Sequence, residues 1–298
     1  MAIPESQLDM WSHQGSITQS KNTYASIRNA LLDSKAVYAD KSFEVFLQGS
    51  YGNDTNIYTE SDVDIIIRLD SIFGRDLSHL PLEQQAAYHQ YHNQATYTFT
   101  DFRKGVITRL STAFGASDII IGNKAIKVKS NGNRRSADVV TCYQYRRYIR
   151  FISLKNQESV PGIIFPTPSS GEVINYPKLH SKNCTTKHQA TNNWFKPMVR
   201  IMKNMRSKLV DEGEIMDDTA PSYYIEGLLY NVPKEKFGKS YVDSFINCMN
   251  WILEADRSKF MCANEQNLLL HENSPVTWRD SKCTQFLTAA CDLWNRGI

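Results

Sequence analysis

The sequence has few cysteines, few glycines and prolines, and no long apolar run. Its 298 residues include 6 Cys, 14 Gly and 10 Pro, which excludes a disulfide scaffold, a collagen and a low-complexity chain. No stretch approaches the roughly 18 apolar residues of a membrane span. The first residues have neither the basic nor the apolar region of a secretory signal. We therefore expect a soluble, cytoplasmic protein with reduced thiols and no membrane partner.

Charge of neither sign dominates the composition. Lys and Arg number 34 against 31 Asp and Glu, which gives a net charge of +3. A domain that binds a nucleic-acid polymer is usually far more basic, so no obligatory nucleic-acid partner is expected. The charge balance does not exclude the binding of small anionic ligands. The hydrophobic share of 41% is that of an ordinary globular protein.

The first half of the chain mixes helix and strand patterns. Apolar spacing predicts a long N-terminal helix over residues 5–34, interrupted at Gly15, and an amphipathic helix over residues 98–115. Residues 70–96 are predicted to form an exposed loop with a helical piece. The predicted strands share alternating or β-branched apolar residues and span 43–47, 62–69, 125–129 and 137–145.

The second half is predicted to be helical. A Pro- and Ser-rich stretch around residues 161–171 marks a loop or hairpin. Beyond residue 191, apolar stripes at helical spacing predict further helices, which begin near Trp194, Tyr224, Val242 and Phe286. The pattern predicts an α+β fold, with a mixed core and N-terminal helix over residues 1–165 and a helical domain over residues 166–298.

Two carboxylates share one face of the strongest predicted strand. A period of two places Asp62 and Asp64 on one face and the apolar residues between and after them on the core face. An isolated Asp-x-Asp is more often a solvated strand end. Here a third acid, Asp138, lies on a later predicted strand, where a buried carboxylate needs a metal or solvent. Three such acids would form a hard oxygen site suited to Mg²⁺ or Mn²⁺.

A small-residue turn, Gly49-Ser50, closes the strand before these acids. Small residues let backbone N–H groups and a hydroxyl approach phosphate oxygens closely. The order Gly49-Ser50, Asp62-x-Asp64 and Asp138 resembles the polymerase β-like nucleotidyltransferases. The wider string QGSYGNDTNI over residues 48–57 is similar to the cGAS/DncV-like branch, the bacterial CD-NTases, and within it to the pyrimidine-using type of the E clade.

The resemblance extends over almost the whole chain. The further matching strings are PESQL (4–8), WSHQG (11–15), NYPKLH (175–180), WFKP (194–197) and APSYY (220–224). The family makes cyclic oligonucleotide signals in anti-phage defence. The resemblance implies a polymerase β-like core, a mixed sheet flanked by helices, with a C-terminal helical bundle that completes the nucleotide pocket.

The resemblance also implies the roles of the three acids. Asp62, Asp64 and Asp138 would hold two Mg²⁺ ions, with Mn²⁺ as a substitute, while a ribose hydroxyl attacks an α-phosphate and pyrophosphate leaves. Asp138 would also accept the proton of the hydroxyl or orient it.

Further residues carry over by position, each with a plainer alternative. Gly49, Ser50, Lys203 and Ser222 would contact the phosphates, although Lys203 could be a solvated helix lysine and Ser222 a helix N-cap. Tyr223 would stack on the donor base or be a core aromatic. Asn175 would read the edge of a uracil, since an amide both donates and accepts, or be a turn residue.

The expected enzyme is a cyclic dinucleotide synthase. Its substrates would be UTP and, for a mixed product, ATP; the product would be cyclic di-UMP or cyclic UMP-AMP. A downstream effector protein would respond to the product, and the enzyme is expected to be a monomer. The alternatives are a template-independent transferase that makes linear oligonucleotides and a catalytically silent nucleotide or RNA sensor. The spacing of His180, Cys184 and His188 suggests zinc, but the usual paired cysteines are missing.

Overall fold

The structure is a computed structural model that describes residues 2–15, 17–58, 62–91, 95–167, 171–272, 274 and 276–298. The chain forms two compact units, each assembled from separate segments. The sheet unit comprises residues 18–47 and 62–177, and the helical unit comprises residues 1–17, 48–61 and 178–298. A division into the consecutive stretches 1–165 and 166–298 stays a prediction.

The described part of the sheet unit is built on a seven-stranded mixed sheet. The central order is β1-β2-β5-β4-β3, and β6 and then β7 follow from β5. The β2 and β5 strands pair in parallel and the other pairs are antiparallel. The strands are β1 (Phe43–Leu47), β2 (Val63–Asp76), β3 (Ile119–Ile121), β4 (Ile126–Val128), β5 (Ala137–Ser153), β6 (Asn156–Thr167) and β7 (Gly171–Asn175).

The helices of the described residues lie in both units. In chain order the α-helices are α1 (Glu5–Ser12), α2 (Thr18–Leu31), α3 (Gly49–Gly52), α4 (Leu82–Tyr91), α5 (Phe99–Phe114), α6 (Pro177–Ala190), α7 (Phe195–Asp211), α8 (Ser222–Asn231), α9 (Tyr241–Glu254) and α10 (Asp280–Arg296). Short 3₁₀ helices span Ala116–Asp118, Lys234–Lys236 and Arg257–Lys259. No helix in these described segments is both long and apolar enough to cross a membrane.

The apolar pattern places the cores. Val63, Ile65 and Ile67 are fully buried, as their alternation predicts. In the helical unit, the stripe of α7 packs into a core with residues of α8, α9 and α10, because each helix presents its apolar face to the others. The predicted α+β class, a mixed sheet with flanking helices and a helical second part, is therefore confirmed.

The long N-terminal helix is two helices, α1 and α2. Gly15 lies between them, and a Cβ there would come within 2.5 Å of the Ile57 carbonyl oxygen. Only glycine allows this close approach of two backbones, so the chain leaves the helix at this point.

The loop predicted over residues 70–96 is wrong in its first part. Strand β2 continues to Asp76 after an irregularity between Leu69 and Phe73, and its pairing with β5 resumes beyond it. Backbone pairing with β5 therefore continues β2 beyond the point where the alternation of apolar and polar side chains ends. The sequence patterns also missed β3 and α6. The predicted hairpin near residues 161–171 consists of β6 and β7. Pro168, Ser169 and Ser170 lie outside the described residues.

His188 on α6 provides a pH-dependent contact with α7. Its Nδ1 accepts a hydrogen bond from the Lys196 backbone N–H at 3.3 Å. Burial, together with the charges of Lys196 and Arg200, lowers the pKa of His188 from 6.5 to about 4. Between these values the unfolded chain binds the extra proton, so the free energy of unfolding falls as pH drops through that window.

We expect His188→Gln to weaken the dependence of the unfolding free energy on pH. The loss of slope should correspond to at most one bound proton. The measurement is urea unfolding at several pH values between 7 and 4, with the exposed His13→Gln as the control. If the unfolding free energy changes with pH equally in wild type and His188→Gln, His188 takes no part in the acid destabilisation.

Candidate active site

The three predicted acids lie near the beginning of two adjacent strands in the sheet unit. Asp64 on β2 and Asp138 on β5 are direct register partners in the parallel pair. Asp62 immediately precedes β2, on the same side of the strand as Asp64 by the period of two. The parallel pairing thus brings Asp138 beside Asp64, although the two acids are far apart in the sequence. The three-acid interpretation requires this proximity.

Lys127 lies beside both Asp138 and Asp62. The sequence patterns missed this lysine. It is the register partner of Asp138 on β4, and its Nζ donates to Asp62 Oδ2 at 2.9 Å. The signal was the alternation Ile126-Lys127-Val128, in which the two apolar neighbours are fully buried on the opposite face.

The charges in this group influence one another. Burial raises the pKa of the Asp138 carboxyl, the Lys127 charge acts to lower it, and the Asp62 charge raises it further. The hydrogen bond and charge of Asp62, together with the charge of Asp138, raise the pKa of Lys127. A cation placed between the carboxylates would relieve the cost of burying Asp138 as an anion. The oxygen donor set therefore fits hard divalent cations.

The Gly49-Ser50 turn lies in the helical unit and forms the start of α3. Gly49 has φ +65°, a left-handed conformation that costs other residues about 1 kcal/mol or more. Ser50 follows, and its Oγ accepts a hydrogen bond from Lys203 Nζ at 2.7 Å. Two of the residues predicted to contact phosphate, Ser50 and Lys203, are therefore in direct contact.

Lys203 is fully buried, with 0% of its surface exposed. Its Nζ also donates to the Thr55 carbonyl oxygen at 2.8 Å. The alternative of a solvated helix lysine is therefore wrong, because the ammonium is enclosed by the segment that follows Ser50. A buried ammonium needs hydrogen bonds and a counter-charge.

A buried carboxylate, Glu226 on α8, organises the same segment. It accepts hydrogen bonds from Asn53 Nδ2 at 2.9 Å, from the Thr55 hydroxyl and from His180 Nε2 at 2.6 Å. The sequence patterns missed Glu226, although a charged residue within the apolar stripe of α8 was a signal.

Tyr223 is held on several sides. Its ring stacks on the His180 ring at 4.6 Å between centroids and 22° between planes. Its hydroxyl accepts a hydrogen bond from Asn264 Nδ2 at 2.9 Å. Tyr223 is only partly buried against the helical core, so it combines a fixed ring with some exposed surface.

Ser222 begins α8. The N-cap position belongs to Pro221, and no side-chain cap bond is made there. The alternative of Ser222 as an N-cap is therefore wrong. The residue instead lies in the first helical turn, where the partial positive charge of the helix favours anions.

Asn175 is the last residue of β7 in the sheet unit. Its Oδ1 accepts a hydrogen bond from the Tyr176 backbone N–H at 2.8 Å, a local contact of the kind that turn residues make. The oxygen has a second lone pair, and the amide N–H₂ has two donors.

Among the described residues, His188 is not grouped with His180 and Cys184 as a possible metal site. His188 contacts α7, while His180, Cys184 and Glu226 have potential ligand atoms within 4.8 Å of one another. Both oxygens of Glu226 already accept hydrogen bonds. Burial and the Glu226 charge raise the pKa of Cys184 well above its usual value. Glu226 and His180 belong to a hydrogen-bonded network with Asn53 and Thr55.

Comparison with known proteins identifies the family. Residues 182–295 match the cGAS/DncV-like nucleotidyltransferase C-terminal helical domain. The chain is 42% identical to the cyclic UMP-AMP synthase of Rhodothermus marinus over 99% of this chain and 98% of that protein. It is 36% identical to a cyclic nucleotide synthase of Staphylococcus haemolyticus, CdnE01, over 99% of each.

A solved structure agrees. The R. marinus CdnE c-UMP-AMP synthase with Apcpp and Upnpp superposes with a TM-score of 0.89, covering 99% of this chain and 97% of that one. The chain therefore belongs to the cGAS/DncV-like nucleotidyltransferases, the CD-NTases, and is an enzyme of their cyclic dinucleotide synthase type. The resemblance to the E clade is confirmed. The family generally uses divalent metal ions.

We expect Lys127→Met to raise the pKa of Asp138 in the metal-free protein, because the Lys127 charge now opposes the effect of burial. The measurement is a carboxyl ¹³C NMR titration. Lys129→Met is the matched control, since Lys129 Nζ donates to the Ser117 carbonyl oxygen. An unchanged Asp138 titration in Lys127→Met would contradict the assigned charge interaction.

Proposed function

We propose that this enzyme joins two nucleoside triphosphates, at least one of them UTP, into cyclic UMP-AMP or cyclic di-UMP. The observation that carries the proposal is the register of Asp64 opposite Asp138, with Asp62 and Lys127 beside them. The similarity to the R. marinus cyclic UMP-AMP synthase supports the inclusion of uridine.

The three carboxylates would hold two Mg²⁺ ions, with Mn²⁺ as a substitute. Bound there, such ions neutralise charge on a triphosphate and lower the pKa of a ribose hydroxyl. Asp138 orients that hydroxyl or accepts its proton.

The helical unit supplies groups for the phosphates and a base. Lys203 and Ser50 offer an ammonium and a hydroxyl, Gly49 lets the backbone approach, and Ser222 adds the N-terminal turn of α8. Tyr223 provides a fixed aromatic surface for stacking.

Asn175 provides the uracil contact in this proposal. Its N–H₂ donates to a uracil carbonyl, while the free lone pair of Oδ1 accepts from the uracil N3–H. The bond from the Tyr176 N–H supports this role, because it fixes the plane of the amide.

The family relation supports a proposal for the biological setting. The cyclic product acts as a signal in bacterial anti-phage defence, and a downstream effector protein responds to it. The enzyme works as a monomer in the cytoplasm.

The direct test is incubation with Mg²⁺ or Mn²⁺ and all four NTPs, phosphatase treatment and mass spectrometry. We expect a phosphatase-resistant, uridine-containing cyclic dinucleotide. Asp64→Asn should lower turnover at least about 100-fold, because a carboxylate that neutralises transition-state charge is removed. Asp70→Asn, on the same strand but bound to Arg68 at 2.6 Å, is the matched control. Wild-type turnover in Asp64→Asn, or linear products only, would refute the proposal.

Asn175→Ser tests the base assignment separately. Serine offers a single, less far-reaching oxygen in place of the separate oxygen and N–H₂ of the amide. It therefore cannot contact two neighbouring positions of a uracil edge as asparagine does, and we expect the share of uridine in the product to fall while pyrophosphate release continues. Competition between UTP and the other NTPs, read as product ratios, measures this. An unchanged ratio would remove Asn175 from base selection and leave the enzyme assignment intact.

A further inference from the structure

The side chain of Lys127 extends across the face of the sheet that carries the acids. Lys127 lies on β4, and β5 separates β4 from β2 in the sheet. Its Nζ nevertheless donates at 2.9 Å to Oδ2 of Asp62, the residue that immediately precedes β2. Because neighbouring strands lie about 5 Å apart, the lysine side chain has to pass over β5 to make this bond.

Asp138 lies on β5 next to this crossing. It is the register partner of Lys127, and directly opposed residues of an antiparallel pair have their side chains on the same face of the sheet. The hydrogen bond to Asp62 and the charges of Asp62 and Asp138 raise the pKa of Lys127, so the ammonium lies within electrostatic reach of both carboxylates. A cation shared by Asp62 and Asp138 would bind in the same place.

The ion pair of Lys127 with Asp62 is open to solvent. The Lys127 side chain is 41% exposed and the Asp62 side chain 36%. Exposed ion pairs of this kind contribute little to the stability of a fold. Carboxylates that share one face, however, repel one another unless a positive charge lies near them. The position of Lys127 therefore matters more for the acids than for the stability of the sheet.

We propose that Lys127 is a positioning residue of the metal site, whose ammonium lies between Asp62 and Asp138 while no divalent ion is bound and moves away when one binds. The inference rests on the metal role of the three acids in the proposed function. The ammonium and a divalent ion carry charge of the same sign, so they exclude each other from the space between the carboxylates. Lys127 therefore weakens the binding of a free divalent ion, and its flexible stem lets the ammonium leave.

The affinity of the nucleotide-free protein for Mn²⁺ tests this role. The concentration of free Mn²⁺ is read from its electron paramagnetic resonance signal during a titration at constant pH and salt. We expect Lys127→Met to bind Mn²⁺ about 10-fold more tightly than wild type, because one positive charge has left the site. Lys127→Gln, which is also neutral but polar, should show the same gain. Lys127→Arg keeps the charge and should bind Mn²⁺ no more tightly than wild type.

Two further variants and a second measurement serve as controls. Lys129→Met removes an equal charge from a lysine whose Nζ donates to the Ser117 carbonyl oxygen, so its affinity for Mn²⁺ should stay close to that of wild type. Asp62→Asn identifies the site, because the affected Mn²⁺ binding should weaken when this carboxylate is lost. The Tm without metal shows that each variant is folded. Mn²⁺ should raise the Tm more in Lys127→Met than in wild type, since tighter binding to the folded state stabilises it more.

The outcomes separate this inference from the proposed function. Equal or weaker Mn²⁺ binding in both neutral variants of Lys127 would overturn the role of the lysine, while weaker binding in Asp62→Asn would leave the metal site in place. Binding of Mn²⁺ only after Lys127 is neutralised would support the role. If Mn²⁺ binds none of the variants, or binds Asp62→Asn as it binds wild type, the metal role of the acids is wrong and the inference is overturned with it.

Discussion

The parallel pairing of β2 with β5 is the constraint on which the acid site depends. It sets Asp64 directly opposite Asp138, and the antiparallel β4 strand then places Lys127 beside Asp138. Because strand neighbours lie about 5 Å apart, carboxylates from distant parts of the chain are held close together. Their mutual repulsion and the burial of Asp138 are costs that a cation bound in the proposed site would offset.

In the helical unit the corresponding constraint is the burial of charge. Lys203 and Glu226 are both buried on neighbouring helices, α7 and α8, and each is satisfied by the segment that carries Ser50. Such groups are stable only when hydrogen bonds and an opposite charge replace the lost water. These hydrogen bonds hold residues 50–55 against α7 and α8, which is the kind of fixed arrangement that the proposed phosphate contact would use.

Membership in the CD-NTases gives these local arrangements a common purpose. The family relation establishes the class of enzyme, while the contacts of individual side chains decide which residues are available for each task. Asn175 illustrates the difference, since its amide oxygen is partly engaged by Tyr176. Ser222 does likewise, because it lies in the first turn of α8 and Pro221 occupies the N-cap position.

The sequence by itself determined the local features. Alternation fixed the face of Asp62 and Asp64, and apolar spacing at 3.6 residues predicted the helices of the second half, because both patterns depend only on neighbours in the chain. The tertiary structure alone decided that β2 extends to Asp76, that Lys127 pairs with Asp62, and that Lys203 is buried against Thr55. Each of these depends on contacts between residues far apart in sequence, which local periodicity does not record.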